Sequence, residues 1–140
     1  MIKKNELVYI CSPLSAPTEQ QMRENMKKAS EYAKLVVRQF HCRAIAPHSF
    51  LPAYLDDRIP EEREACLAFG ISVLKLCRAV IVCGNRISSG MEGEIRTARE
   101  CSIPVYSLWE RPDGFALVRA EGRRRKDEVQ ICAENILQQR

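Results

Sequence analysis

Four short apolar runs alternate along the chain with longer segments of helical periodicity, and this alternation constrains the fold more than any other feature. The runs cover 7–11, 42–46, 79–83 and 103–108, and the helical segments cover 19–40, 60–76 and 90–101. Continuous apolar runs of this length suit strands that are buried on both faces. We therefore predict an α/β fold in which helices cover both sides of a parallel sheet of four to five strands.

The last thirty residues are less regular. The run 115–118 is a candidate fifth strand, and 127–139 predicts a terminal helix whose inward residues are Val129, Cys132, Ala133 and Ile136. Between them, 123–126 reads Arg-Arg-Arg-Lys, which is either a solvated run before a helix or a phosphate or nucleic-acid contact. No repeat or linker divides the chain, so we predict a single domain over 1–140.

Composition excludes several classes of protein. The 22 Lys and Arg against 18 Asp and Glu leave a net charge of +4, which is too mild for a dedicated nucleic-acid binder. No apolar run approaches the ~20 residues of a membrane span, and the first residues do not form a signal peptide. The seven cysteines form no C-x-x-C pair and no metal-ligand spacing, which indicates reduced thiols. We expect a cytoplasmic protein that binds neither membrane nor nucleic acid and holds no metal.

The segment 60–76 predicts a helix that begins at Pro60, because proline suits the first helical turn. Its spacing assigns five residues to the inward face: Ala65, Ala68, Phe69, Ser72 and Leu76. Gly70 is an anomaly within this helix, since glycine is unfavourable in a helix interior.

Polar residues follow three of the predicted strands. Parallel sheets bind ligands beyond the carboxyl ends of their strands. The candidates there are Ser12, His48, Ser49, Asn85, Ser88 and Ser89. Ser89 and Glu92 fit a capping box, which would leave the amides near Ser88 to Gly90 as an anion site. For His48, a ligand-facing role and a loop-anchoring hydrogen bond remain alternatives, and Asp56 and Asp57 form a solvated turn unless their loop folds over the pocket.

Glu94 is the carboxylate best placed for chemistry. At about 100° per residue, Met91, Ile95 and Ala98 form the inward stripe and Glu94 falls about 60° from its centre, partly sheltered. Glu92 falls on the flank that faces water. A functional carboxylate and a boundary salt bridge remain alternatives for Glu94. Tyr9 is either a core aromatic or the partner whose hydroxyl hydrogen-bonds Glu94.

Two motifs, Val8-Tyr9-Ile10-Cys11-Ser12-Pro13 and Ser89-Gly90-Met91-Glu92-Gly93-Glu94-Ile95, resemble the nucleoside 2-deoxyribosyltransferase-like superfamily, over roughly 6–108. Ile45-Ala46-Pro47-His48 and Tyr54-Leu55-Asp56-Asp57 are similar to a small bacterial and phage branch of it. The resemblance implies a flavodoxin-like three-layer sandwich, a Glu nucleophile at Glu94 and a Tyr partner at Tyr9. It also implies closed homo-oligomers, a dimer or higher, and no metal or redox cofactor. We expect the helices at 19–40 and 60–76 to form the contacts, because both are long and carry more apolar residues than one sheet face requires.

The activity that the resemblance implies is cleavage or exchange of an N-glycosidic bond in a (deoxy)nucleoside or nucleoside 5′-monophosphate. Tyr9 and Glu94 are then catalytic, and Ser12, His48, Ser88, Ser89 and Gly90 bind the substrate. Transferases of the superfamily carry Asp where this chain has Gly70 and Ser88, and Ser88-x-Gly90 resembles the branch that hydrolyses deoxynucleoside 5′-monophosphates. We therefore favour a hydrolase over a transferase.

A further departure is Arg78, which follows Cys77 where relatives carry Asp. It is a surface substitution, a phosphate ligand or a sign of lost catalysis. The alternative function is accordingly a nucleotide-binding sensor of the same fold that does not turn its ligand over.

Overall fold

A computed structural model describes residues 1–120 and 129–131. Six strands form one sheet in the order β2-β1-β3-β4-β5-β6. The strands are β1 (Leu7–Cys11), β2 (Arg43–Ile45), β3 (Ala79–Val82), β4 (Val105–Arg111), β5 (Gly114–Arg119) and β6 (Val129–Ile131). The α-helices are α1 (Glu19–Phe40), α2 (Pro60–Leu74) and α3 (Ser89–Glu100), and two 3-10 turns cover Pro47–Ser49 and Leu51–Ala53.

The sheet confirms the predicted α/β class. Strands β1 to β4 pair in parallel, while β5 and β6 extend the sheet in antiparallel fashion. Val8, Ile10 and Ile81 face α1, whereas Tyr9, Cys11 and Val80 face α2 and α3. Helices therefore cover both faces, as a three-layer flavodoxin-like sandwich requires.

Helix α1 matches its predicted bounds. The Thr18 hydroxyl accepts a hydrogen bond from the Gln21 amide at 3.2 Å, and the helix ends at His41, whose φ is 56°. Ala29, Val36 and Phe40 are buried against the sheet. None of the helices in the described ranges combines the length and apolar character needed to cross a bilayer.

Helix α2 corrects the predicted inward face. The five residues assigned inward are all exposed: Ala65, Ala68, Phe69, Ser72 and Leu76. Gly70 and Leu74 are buried instead, because α2 packs against β1 through the glycine. A Cβ atom built on Gly70 would lie 2.9 Å from the Tyr9 hydroxyl oxygen, so only glycine permits this approach.

The end of the chain departs from prediction in one respect. The strand predicted at 115–118 is confirmed within β5, but the terminal helix is wrong at Val129–Ile131, which pairs with β5. The edge of β5 that faces away from β4 has backbone N–H and C=O groups with which another strand can pair, and β-branched Val and Ile suit a strand. The basic run 123–126 and the rest of the segment predicted as a terminal helix lie outside the described residues.

Candidate active site

Glu94 lies one turn into α3, on the face that packs against the sheet, and is 4% exposed. The helix is capped by Ser88, whose hydroxyl accepts a hydrogen bond from the Met91 amide at 3.3 Å. The predicted capping box of Ser89 and Glu92 is therefore wrong by one residue, because Ser88 has the extended backbone of an N-cap and Ser89 is already helical. Glu92 faces water as predicted.

Tyr9 contacts Glu94 directly. Its hydroxyl donates a hydrogen bond to Glu94 Oε1 at 3.1 Å, and the side chain is 1% exposed. Strand alternation places Tyr9 and Cys11 on the same face of β1, toward α2 and α3. The hydrogen bond expected from the sequence is thus present in the structure.

His48 makes the loop-anchoring hydrogen bond that the sequence left as one alternative, and its other ring nitrogen lies near Glu94. Its Nδ1 atom is 2.8 Å from the Ser12 carbonyl oxygen, and its Nε2 atom is 3.8 Å from Glu94 Oε1. A carbonyl only accepts, so Nδ1 carries a proton and anchors the loop. Nε2 is then the ring nitrogen that faces the Glu94 carboxylate.

Burial dominates the electrostatics of this cluster. It raises the pKa of Glu94, and His48, Cys11 and Tyr9 offset this effect only in part. Within the described part of the chain, Glu94 Oε2 is buried and has no hydrogen-bond partner. Burial and the charge of Glu94 also raise the pKa of Tyr9, which therefore stays a hydrogen-bond donor. An ionised Glu94 consequently costs free energy unless a substrate uses it.

A small cavity of about 30 Å³ adjoins this cluster and is lined in part by Tyr9, His48, Asp57, Gly70 and Glu94. The volume is that of roughly one water molecule. A Cβ atom at position 70 would meet the Tyr9 hydroxyl, so a side chain there requires one of the two to shift.

The predicted binding residues occupy two neighbouring places. Ser89 and Gly90 line a groove of about 420 Å³ between α2 and α3 rather than the small cavity, and Glu94 borders both spaces. Ser12 holds His48 through its carbonyl group, and its hydroxyl is buried without a partner among the residues described. Ser88 stands at the N-cap of α3.

Arg78 lies away from this cluster. Its Nε atom is 3.0 Å from Glu6 Oε2, and the side chain is 65% exposed. Both residues immediately precede strands, β3 and β1, whereas the Glu94 cluster is at the carboxyl ends. Arg78 thus forms a surface ion pair rather than contacting a ligand at this site.

Two site residues, Gly70 and Cys11, were missed by the sequence reasoning, and Asp57 takes the alternative left open for it if its loop covers the pocket. Gly70 contacts the Tyr9 hydroxyl, Asp57 borders the cavity, and Cys11 lies beneath α3, with its thiol 4.0 Å from the Met91 carbonyl oxygen. The glycine within a helix interior was the signal that could have identified the first. In the described ranges, no group of three or more His, Cys, Asp or Glu side chains is arranged to hold a metal ion.

Comparisons with known proteins bear on both the family and the fold. A family profile described as a domain of unknown function (DUF7768) matches residues 6–108. No curated protein matches the chain. A solved 2-deoxyribosyltransferase from the psychrotolerant bacterium Bacillus psychrosaccharolyticus is similar in structure, with a TM-score of 0.54 and 14% identity. The similarity covers 72% of this chain and 70% of that one, and at this identity it shows a shared fold.

Proposed function

This chain belongs to the DUF7768 family, and on that premise we propose that it cleaves or exchanges the N-glycosidic bond of a (deoxy)nucleoside or nucleoside 5′-monophosphate. The carrying observation is the buried Glu94 carboxylate, which the Tyr9 hydroxyl holds through one oxygen while the other has no partner among the described residues. Its place at the carboxyl ends of parallel strands is where such sheets bind ligands. The fold shared with a 2-deoxyribosyltransferase supports the choice of substrate class.

In the first step, Glu94 Oε2 attacks C1′ of the sugar. The C1′–N bond breaks, and its electron pair leaves with the base, which takes a proton from Nε2 of protonated His48. The product is a glycosyl ester of Glu94. Tyr9 keeps Oε1 oriented by its hydrogen bond, so Oε2 is the oxygen presented to the sugar.

In the second step, a water oxygen attacks C1′ and the ester bond to Glu94 breaks. The water proton passes to His48 Nε2, which restores the starting state of both side chains. Two displacements retain the configuration at C1′. Exchange differs only in that a second base replaces water.

We favour hydrolysis of a nucleotide over exchange between free nucleosides. Ser89 and Gly90 border the groove beside Glu94, at the first turn of α3, where backbone amides favour a phosphate. Arg96 lines the same groove and offers a cation to the phosphate, whereas Arg63 is paired with Asp57, and Glu94 and Glu100 are the acidic groups of the lining. Gly70 supports the same choice, because this chain lacks the Asp that transferases carry there.

Assembly and location complete the proposal. The exposed apolar residues Leu67 and Phe69 on α2, and Leu76 just after it, support a homo-oligomer, which light scattering at tens of micromolar protein would test. A monomeric mass would contradict it. The six free cysteines of the described residues suit the reducing cytoplasm.

The decisive experiment incubates the protein with nucleosides and 5′-monophosphates and follows the free base by chromatography. Glu94→Gln should lower base release by roughly a thousandfold or more while ligand still binds, because the nucleophilic charge is lost and the volume is kept. Glu92→Gln is the matched control on the exposed flank of the same helix and should leave the rate unchanged.

The second candidate is a sensor that binds nucleotides without turnover, and Gly70, which stands where the transferases carry Asp, favours it. Wild-type protein that binds members of the panel but releases no base would replace the enzyme proposal with this one.

A further inference from the structure

The loop 50–59 contributes one charged side chain to the wall of the Glu94 cavity, that of Asp57. The same side chain also borders two larger surface clefts of about 350 and 380 Å³. Asp57 therefore stands between the small inner cavity and the open surface. Its side chain is 16% exposed, so most of the carboxylate is already shielded from water.

Two flanking segments hold the Asp57 carboxylate. Its Oδ2 atom accepts a hydrogen bond from the Ser15 hydroxyl at 3.2 Å and lies 3.5 Å from Arg63 Nη1 on α2. The adjacent Asp56 is different, because it pairs with Arg58 at 3.0 Å and lines only the outermost cleft. Two neighbouring carboxylates thus have distinct surroundings, and only Asp57 reaches the cavity of Glu94.

A nucleobase can occupy the small cavity only if this loop moves. A cavity of about 30 Å³ is far below the roughly 300–1,000 Å³ of ordinary small-molecule sites. Displacement of the loop would join the inner cavity to the neighbouring clefts, and Asp57 borders all three. The chemistry proposed above uses Glu94, Tyr9 and His48, which leaves Asp57 as the acidic side chain of this wall without a role.

We propose that Asp57 selects the nucleobase by accepting hydrogen bonds from its N–H groups in place of the Ser15 hydroxyl. The inference rests on the proposed function. An ionised carboxylate only accepts, so it favours an edge with adjacent N–H donors, as in guanine. Uracil and thymine place a single N–H between two carbonyl groups, which the carboxylate repels. Gly70 leaves no space for a competing carboxylate from α2.

The test compares kcat/KM for guanine and thymine substrates of the same sugar and phosphorylation state. Wild-type protein should prefer guanine, and Asp57→Asn should lower the guanine-to-thymine ratio by about 10- to 100-fold, which corresponds to one charged hydrogen bond. Asp56→Asn is the matched control and should leave the ratio unchanged, because Asp56 lies outside the Glu94 cavity.

The ratio separates base selection from a structural role. If Asp57 only held the loop, Asp57→Asn would lower kcat/KM for both substrates by the same factor, and that result would overturn the inference. A wild-type protein that turns over both bases equally would overturn it as well, while leaving the proposed function intact. If the wild type releases no base, the proposed function fails. The role of Asp57 is then decided by the dissociation constants of the guanine and thymine ligands, measured by calorimetry and compared as the same guanine-to-thymine preference.

Discussion

The two faces of the central sheet are built differently. The face toward α1 is an apolar core, in which Val8 and Ile10 pack with Val36 and Phe40. The face toward α2 and α3 contains Tyr9 together with Cys11, and Glu94 lies near the carboxyl ends of its strands. The same two strands, β1 and β3, supply both faces. Alternate residues of one strand therefore serve stability on one side and the candidate site on the other.

Burial has opposite energetic consequences on the two faces. Burial of apolar side chains against α1 stabilises the fold, whereas burial of Glu94 opposes ionisation of a group that the proposed chemistry requires ionised. Proteins commonly accept lower stability at functional sites. Substitutions on the two faces should accordingly change different observables.

The largest expected effect is on the α1 face. Ile81→Ala removes a fully buried side chain and should lower the unfolding free energy by about 2–5 kcal/mol. Base release per folded molecule should change less than twofold, because Ile81 faces away from Glu94. Chemical denaturation and turnover measured together check both statements. Val37→Ala, on the exposed side of α1, is the control and should stay within about 0.5 kcal/mol.

The second effect is on the site face. Gly70→Ala places a methyl group 2.9 Å from the Tyr9 hydroxyl, so the hydroxyl or α2 must shift. We expect kcat/KM to fall by about 10- to 100-fold, since small displacements of catalytic groups carry costs of this size. Ser72→Ala is the control on the exposed side of the same helix. It should keep its activity and change the stability by no more than about 0.5 kcal/mol. Equal losses in both variants would contradict the role of the close approach.

The third effect concerns pH, which should change stability and turnover in opposite directions. Burial raises the pKa of Glu94, so the folded state binds a proton more tightly than the unfolded state. The contribution of Glu94 to the unfolding free energy of the wild type is therefore fully present below the ordinary Glu pKa. It is lost as pH rises through the raised pKa of the folded state. Turnover needs the ionised form and should rise over the same interval.

Glu94→Gln removes this titration. Its unfolding free energy should exceed that of the wild type at neutral pH, and the difference should shrink on acidification toward the ordinary Glu range. Thermal denaturation at several pH values measures this. A variant that is less stable than the wild type at neutral pH would mean that the ionised carboxylate stabilises the fold.

Comparison of α1 with α2 shows how much of the fold could be predicted from the sequence. In α1 the apolar residues Ala29, Val36 and Phe40 recur at helical spacing, and this periodicity predicted both the bounds of the helix and its buried face. Helix α2 has apolar residues on several sides, so its pattern could not give its orientation. A glycine contact with Tyr9 decides that orientation, and it depends on two segments far apart in sequence.

The candidate site likewise contains residues that could be placed from the sequence and a residue that could not. Helical geometry within one segment was enough to place Glu94 beside the inward stripe, and the strand period was enough to place Tyr9. Asp57 required knowledge of how the loop 50–59 folds over the cavity, which has no periodicity from which to predict it. Local geometry was predictable, whereas contacts across irregular segments were not.

The smallest expected effect lies at the opposite end of the same strands. Arg78 pairs with Glu6 at 3.0 Å in a mostly exposed position, where an ion pair contributes about 0–1 kcal/mol. Arg78→Gln should therefore change the unfolding free energy by no more than this, and the change should diminish in high salt. Base release and nucleotide affinity should match the wild type, because Arg78 precedes β3 while Glu94 lies near the carboxyl ends. A loss of affinity for 5′-monophosphates, but not for nucleosides, would instead make Arg78 a phosphate ligand and place a binding surface at the amino ends of the strands.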